Sequence, residues 1–197
     1  MSKKERNDER SLPSAQAVKA EIKREKVKQL YKKLLKSTIY ALIVVVAIAV
    51  LIATLILPVV QISGTSMEPG LVEGDIVVLV KTKHLQRGDI CAFYYSNKVL
   101  IKRVIGLPGD HIDMDAEGNV YVNGYLLEEP YLNEKAYGEC DIEFPYQVPE
   151  SQYFMLGDRR ATSIDSRNTV IGCVAYDQMV GKLVLKVWPL GEFKLIG

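Results

Sequence analysis

TIYALIVVVAIAVLIATLILPVV, Thr38 to Val60, decides how the rest of the chain is read. It contains no charged residue. As an α-helix rising ~1.5 Å per residue it would extend about 34 Å, and a bilayer core needs about 20 apolar residues. The stretch therefore reads as a transmembrane helix, with Pro58 tolerated near its outer end. A cleaved leader carries an apolar region of about 7–15 residues behind a short basic segment. A long polar segment precedes this one, so the span reads as an uncleaved anchor.

Charge assigns the two sides. Residues 1–36 hold 12 Lys+Arg against 5 Asp+Glu, whereas the remainder holds 13 against 19. Lys32, Lys33 and Lys36 stand before the span, and the first basic residue after it is Lys81. The positive-inside rule then puts the N-terminus in the cytoplasm. Three parts follow: a cytoplasmic basic tail at 1–37, a transmembrane helix at 38–60, and an extracytoplasmic domain at 61–197. Within the tail, Met1 to about Ser14 has no apolar periodicity and is expected to be disordered. Ala15 to Lys36 is a better helix former. It can lie on anionic lipid, where a surface lysine is worth about 1 kcal/mol, or stand in solvent.

The outer part reads as β. Gly74-Asp75 opens Ile76 to Val80, Gly88-Asp89 opens Ile90 to Tyr95, and Val99 to Ile105 follows a polar turn at Ser96-Asn97-Lys98. Leu107-Pro108-Gly109-Asp110 is a loop signal. Ile112 to Met114, Val120 to Val122 and Tyr125 to Leu127 are short strands, and Asn123-Gly124 predicts a type I′ hairpin. Glu128 to Glu150, with three prolines, reads as an irregular excursion. Tyr153 to Leu156 and Met179 to Val187 close the domain, with no clear soluble helix. The expected fold is mainly β, an antiparallel, barrel-like sheet behind one transmembrane helix. The three cysteines, Cys91, Cys140 and Cys173, form no close-spaced motif, and an odd count leaves at least one unpaired within the chain. Small buried side chains explain them, and a Cys140–Cys173 disulfide is an alternative.

Just beyond the span, Ser63-Gly64-Thr65-Ser66-Met67-Glu68-Pro69-Gly70 offers a hydroxyl in a constrained segment. Gly64 opens backbone shapes closed to other residues, and Pro69 restricts itself and Glu68. A serine is a weak nucleophile without a base. The histidines, His84 and His111, sit in or beside polar turns with no further signal, and neither HExxH nor CxxC occurs. Lysine is the other choice, provided that burial lowers its pKa. Lys102 lies in Val99-Leu100-Ile101-Lys102-Arg103-Val104-Ile105, where strand alternation sends Lys102 and Arg103 to opposite faces; an edge-strand charge is the plain alternative. A third stretch, Gly157 to Arg167, is dense in polar groups. There Ser163 can orient an amine, and Asp165 and Arg167 can pair to brace the loop. A generic polar loop is the alternative.

Taken together these stretches resemble bacterial type I signal peptidases, the serine–lysine leader peptidases. Ser66-Met67-Glu68-Pro69 looks like the family's Ser-Met-x-Pro box. Gly74-Asp75-Ile76-Val77-Val78 with Arg87-Gly88-Asp89-Ile90 resembles its second box, Lys102 to Asp110 its lysine box, and Gly157-Asp158 through Ser163-x-Asp165-Ser166-Arg167 its last. The resemblance implies a membrane-bound serine endopeptidase that removes signal peptides from exported preproteins. Ser66 would be its nucleophile and Lys102 its general base, with Ser163, Asp165 and Arg167 in support. No cofactor or metal is implied. The partners implied are signal peptides and membrane lipid, not nucleic acid. The last box departs from Gly-Asp-Asn-Arg at Arg159, and Ala161 and Thr162 stand where Asp-Asn is usual. Gly64 replaces a serine that serves some members as an oxyanion donor, which leaves the Ser66 backbone N–H for that role. Ile62, Met67 and Leu71 flank Ser66 and, with Val187-Trp188-Pro189-Leu190, are candidates for lipid contact; a core tryptophan is the alternative. Two other readings stand beside this one. A tethered β domain that only binds partners would need neither Ser66 nor Lys102. A serine–lysine autoproteolytic repressor would be cytosolic and carry a DNA-binding helix-turn-helix in place of the anchor.

Overall fold

The computed structural model describes residues 15–82 and 84–196; the disorder expected of residues 1–14 falls outside them. Two compact units divide at residues 53 and 54. The first holds all but the last turn of helix α1, which runs without interruption over Ala15–Ile56. Among the described residues it is the one helix long and apolar enough to cross a membrane. It joins two stretches that the sequence suggested separately, the lysine-rich segment and the apolar span. It also stops short of Val60. Pro58 cannot donate to a helical ladder, and Val59 already belongs to a strand.

The second unit is built from β1 (Val59–Gln61), β2 (Ile76–Val80), β3 (Ile90–Tyr95), β4 (Lys98–Gly106), β5 (His111–Met114), β6 (Val120–Val122), β7 (Tyr125–Leu126), β8 (Tyr146–Gln147), β9 (Gln152–Leu156), β10 (Val174–Ala175), β11 (Met179–Trp188) and β12 (Lys194–Leu195). Every strand pair is antiparallel. One sheet runs β1-β2-β11-β3-β4-β9-β10, with β12 beside β11, and the other runs β7-β6-β5-β8. The expected barrel-like sheet does not close: its path ends at β1 and β10. Closure needs staggered strands long enough to bond on both sides, and these two have three and two residues. Such short edges also give little for another chain to pair with.

Local chemistry accounts for the turns. Asn123 and Gly124 both hold positive φ, 54° and 82°, between Val122 and Tyr125, which pair directly. That is the geometry of a type I′ hairpin. The segment Glu128 to Glu150 is more ordered than its composition suggested. Val148 is fully buried, and Ile142, Phe144 and Tyr146 pack on a core of Ile105, Ile112, Val120, Phe154 and Leu156 between the two sheets. The prolines break regular pairing without removing the apolar anchors. All three cysteines are free.

Two apolar groups differ in fate. Ile62, Met67 and Leu71 are buried with Val77, Leu79, Ile90, Ala92 and Leu183, so they anchor the segment around Ser66 and offer nothing to lipid. Trp188 is 50% exposed, and Leu190, Phe193 and Leu195 are 77%, 66% and 77% exposed. The tryptophan is therefore not a core residue.

Candidate active site

The segment carrying Ser66 is a loop closed at its base. Ile62 N donates to Asp75 O at 2.7 Å and Gly74 N to Ile62 O at 2.9 Å. Inside it, Glu68 N donates to Thr65 O and Leu71 N to Met67 O, which makes a tight turn around the serine. Gly64 takes φ 87°, a left-handed conformation that favours glycine. Met67 and Leu71 hold the turn in the core, which leaves Ser66 half-buried at its edge. Asp75 ties the base further: its carboxylate accepts from Val72 N at 2.9 Å and pairs with buried Lys186 at 2.7 Å.

Lys102 comes from the middle of β4, paired with Cys91 of β3. Its Nζ lies 2.7 Å from Ser66 Oγ. The residue is only 4% exposed, and burial lowers the amine from its ordinary pKa of 10.5. The nearby Asp165 and Asp158 carboxylates oppose that shift, and the Arg167 guanidinium adds to it. Desolvation is the largest of these influences, so the neutral amine is favoured relative to a lysine in water. Cys91, next to Lys102 in register, is no competing nucleophile: burial and the Asp89 carboxylate push its thiol up to about 12.

Arg103 points the other way, as alternation requires. It grips Asp158 through two bonds of 2.8 and 2.6 Å, donates to Gly88 O at 2.8 Å, and lies 3.8 Å over the Tyr131 ring. The loop after β9 is thereby fixed to β4 at its first residues. Its far end is fixed by the fully buried pair of Asp165 and Arg167, in which Nε and Nη2 each reach a carboxylate oxygen at 2.8 Å. Asp165 also accepts from Gly157 N at 3.0 Å, and Arg167 reaches Tyr137 O at 2.6 Å and Arg160 O at 2.9 Å. Ser166 accepts from Met155 N and donates to Gly172 O. The loop meets Ser66 directly, since Arg159 N donates to Ser66 O at 3.0 Å.

Ser163 lies in this contact zone, 2% exposed. Its hydroxyl has no hydrogen-bond partner, so the bond to Lys102 that the sequence suggested is not made in this structure. Gly157 explains the close fit. A Cβ there would overlap Ser163 Oγ, sit 2.6 Å from Ser163 Cβ and come within 2.7 Å of Ser66 O.

A small cleft of about 90 Å³ opens at the dyad, lined by Ile62, Gly64, Met67, Leu100 and Ile101 besides Ser66 and Lys102. Its size suits small groups. The histidines lie apart from it: His111 is an exposed residue of β5 in the smaller sheet, and His84 is exposed with its backbone N bonded to Thr82. Among the described residues no cluster of His, Cys, Asp and Glu could hold a metal ion. Three buried pairings had no reading in the sequence: Asp158 with Arg103, Glu129 with Arg160, and Asp75 with Lys186. Their signal was present, a charge inside an apolar strand or next to a turn, but the partners lie up to 111 residues apart along the chain.

The chain is similar to known proteins along most of its length. The family model described as "Signal peptidase, peptidase S26" matches residues 35–188. Signal peptidase IB of Staphylococcus aureus is 36% identical, covering 68% of this chain and 78% of its own length. Signal peptidase I U of Bacillus subtilis is also 36% identical, over 68% of this chain and 76% of its own. A crystal structure of a signal peptidase I from Enterococcus faecalis V583 aligns at a TM-score of 0.45 and 32% identity, covering 53% of this chain and all of that one.

Proposed function

The chain belongs to the signal peptidase family, peptidase S26, whose members are serine peptidases of signal-peptide processing, and on that premise we propose that it cleaves preproteins through a Ser66–Lys102 dyad. The observation that carries the reading is the 2.7 Å approach of Lys102 Nζ to Ser66 Oγ, with the amine buried and its pKa lowered. Neutral Lys102 takes the Ser66 proton as Oγ attacks the scissile carbonyl carbon. The backbone N–H of Ser66 donates to the oxyanion that forms. Collapse breaks the C–N bond, and the amine of the mature chain leaves with the proton held by Lys102. Lys102 then takes a proton from water, and the hydroxide hydrolyses the acyl-enzyme. Ser163 bonds to Lys102 in the substrate complex, where catalytic hydrogen bonds tighten, while Asp165 and Arg167 hold the loop that carries it.

The small volume of the cleft supports a preference for small residues before the scissile bond. Helix α1 is the anchor, with the N-terminus in the cytoplasm and the domain from Gln61 onward outside it, since lysines precede the apolar stretch and none follows until Lys81. The exposed group of Trp188, Leu190, Phe193 and Leu195 contacts lipid headgroups and acyl chains, which an exposed tryptophan suits. The purified full-length chain, incubated in detergent with a secreted preprotein, is expected to release a product whose new N-terminus begins at the mature sequence. Intact preprotein, or cuts unaffected by Ser66→Ala, would sink the reading.

A further inference from the structure

A second and larger cavity, about 550 Å³, lies along the turn on the C-terminal side of Ser66. Glu68, Pro69 and Val72 form one wall, the loop from Asp158 to Thr162 another, and Glu134 with its neighbours a third. It shares no lining residue with the small cleft at the dyad. The small cleft takes in Ser66 and Met67 and the larger cavity begins at the next residue, Glu68, so a peptide whose scissile carbonyl reaches Ser66 Oγ has both cavities within its reach. Its size lies within the range of peptide- and ligand-binding pockets.

The charges in this cavity largely cancel. Asp158 is held by Arg103 and Arg160 by Glu129, both pairs buried. Glu68 pairs with Arg159 at 2.9 Å across the opening, with both side chains partly exposed. Arg159 also replaces the asparagine usual at this position of the box. Glu134 makes no ion pair among the described residues, and the adjacent Lys135 is turned to Asn119 at 2.8 Å. The lining is left with one uncompensated negative charge.

Resting on the dyad reading, we propose that this cavity receives the first residues of the mature chain, beyond the scissile bond, and that Glu134 makes it favour a basic over an acidic side chain there. The test uses preprotein-derived peptides with one signal region and Lys, Gln or Glu at the second residue after the cut. Cleavage by the full-length chain in detergent gives kcat/KM for each. The expected order is Lys, Gln, Glu, spanning about threefold at low salt, as befits a partly solvated charge pair, and flattening at high salt. Glu134→Lys should reverse the order of the Lys and Glu peptides. An unchanged order in Glu134→Lys, with the Gln peptide still cut at the mature boundary, overturns the proposal and leaves the dyad standing. A Gln peptide that the parent does not cut takes both down.

Discussion

In the proposed dyad, the role of Lys102 is set against stability. Its folded-state pKa lies below the ordinary 10.5. Between those two values the unfolded chain binds the extra proton, so folding strengthens as pH rises through that window and weakens as it falls. Lys102→Met should therefore abolish cleavage while the melting temperature at neutral pH holds or rises; a large drop in melting temperature would mean that the amine stabilises the fold. Cleavage by the parent should increase with pH, because only neutral lysine accepts the Ser66 proton, and the acidic limb of kcat/KM should report a pKa below 10.5. Lys102→Arg should be inactive, since guanidinium stays protonated, and His84→Ala and His111→Ala should leave activity unchanged. Activity that persists in folded Lys102→Arg would identify another base. Ser163→Ala deletes a buried hydroxyl that has no partner, and such groups cost about 1–3 kcal/mol. It should hold or raise the melting temperature while lowering kcat about tenfold or more, each ~1.4 kcal/mol of barrier being a factor of ten. An unchanged kcat would reduce Ser163 to packing.

At the scale of elements, the loop from Gly157 to Arg167 does more than carry Ser163. It is fastened to β4 by Arg103 with Asp158, internally by Asp165 with Arg167, and to the Ser66 turn by Arg159 N on Ser66 O. Gly157 lies where this loop, Ser163 and the Ser66 carbonyl meet. Gly157→Ala should push these groups apart and depress cleavage more than it depresses stability, read as kcat/KM beside thermal unfolding. Arg167→Met leaves Asp165 buried without its partner, and losses of that kind run to about 3–5 kcal/mol. Denaturant unfolding of this variant should show a midpoint well below that of the parent. A midpoint equal to the parent's would mean that the pair does not brace the loop.

The whole molecule joins a membrane-length helix to a β unit with an exposed apolar group. A tag at the C-terminus should be reached by protease added outside protoplasts; protection there, with access only after lysis, would reverse the proposed orientation. Trp188 fluorescence should shift to shorter wavelength with lipid vesicles and be quenched by membrane-restricted quenchers. Neither response, in a chain that still cleaves, would remove the lipid contact.

The apolar span, most strands and the type I′ turn were legible in the sequence because each depends on neighbours a few residues away. Pattern periods, turn chemistry and the absence of charge over a membrane-length run are local properties. Ser66 and Lys102 were singled out by local environment, a constrained turn and a charge in an apolar strand. Their separation was not legible: 36 residues of chain fold back to leave 2.7 Å between the two atoms. The same holds for the burial of Met67 and Leu71, the exposure of Trp188 and the buried pairs of Arg103, Arg160 and Lys186, which depend on which strands become neighbours. The open sheet was a tertiary outcome too. Alternation tells each strand which face is inward, but closure depends on whether the two end strands can reach and bond one another, and β1 and β10 are too short to do so.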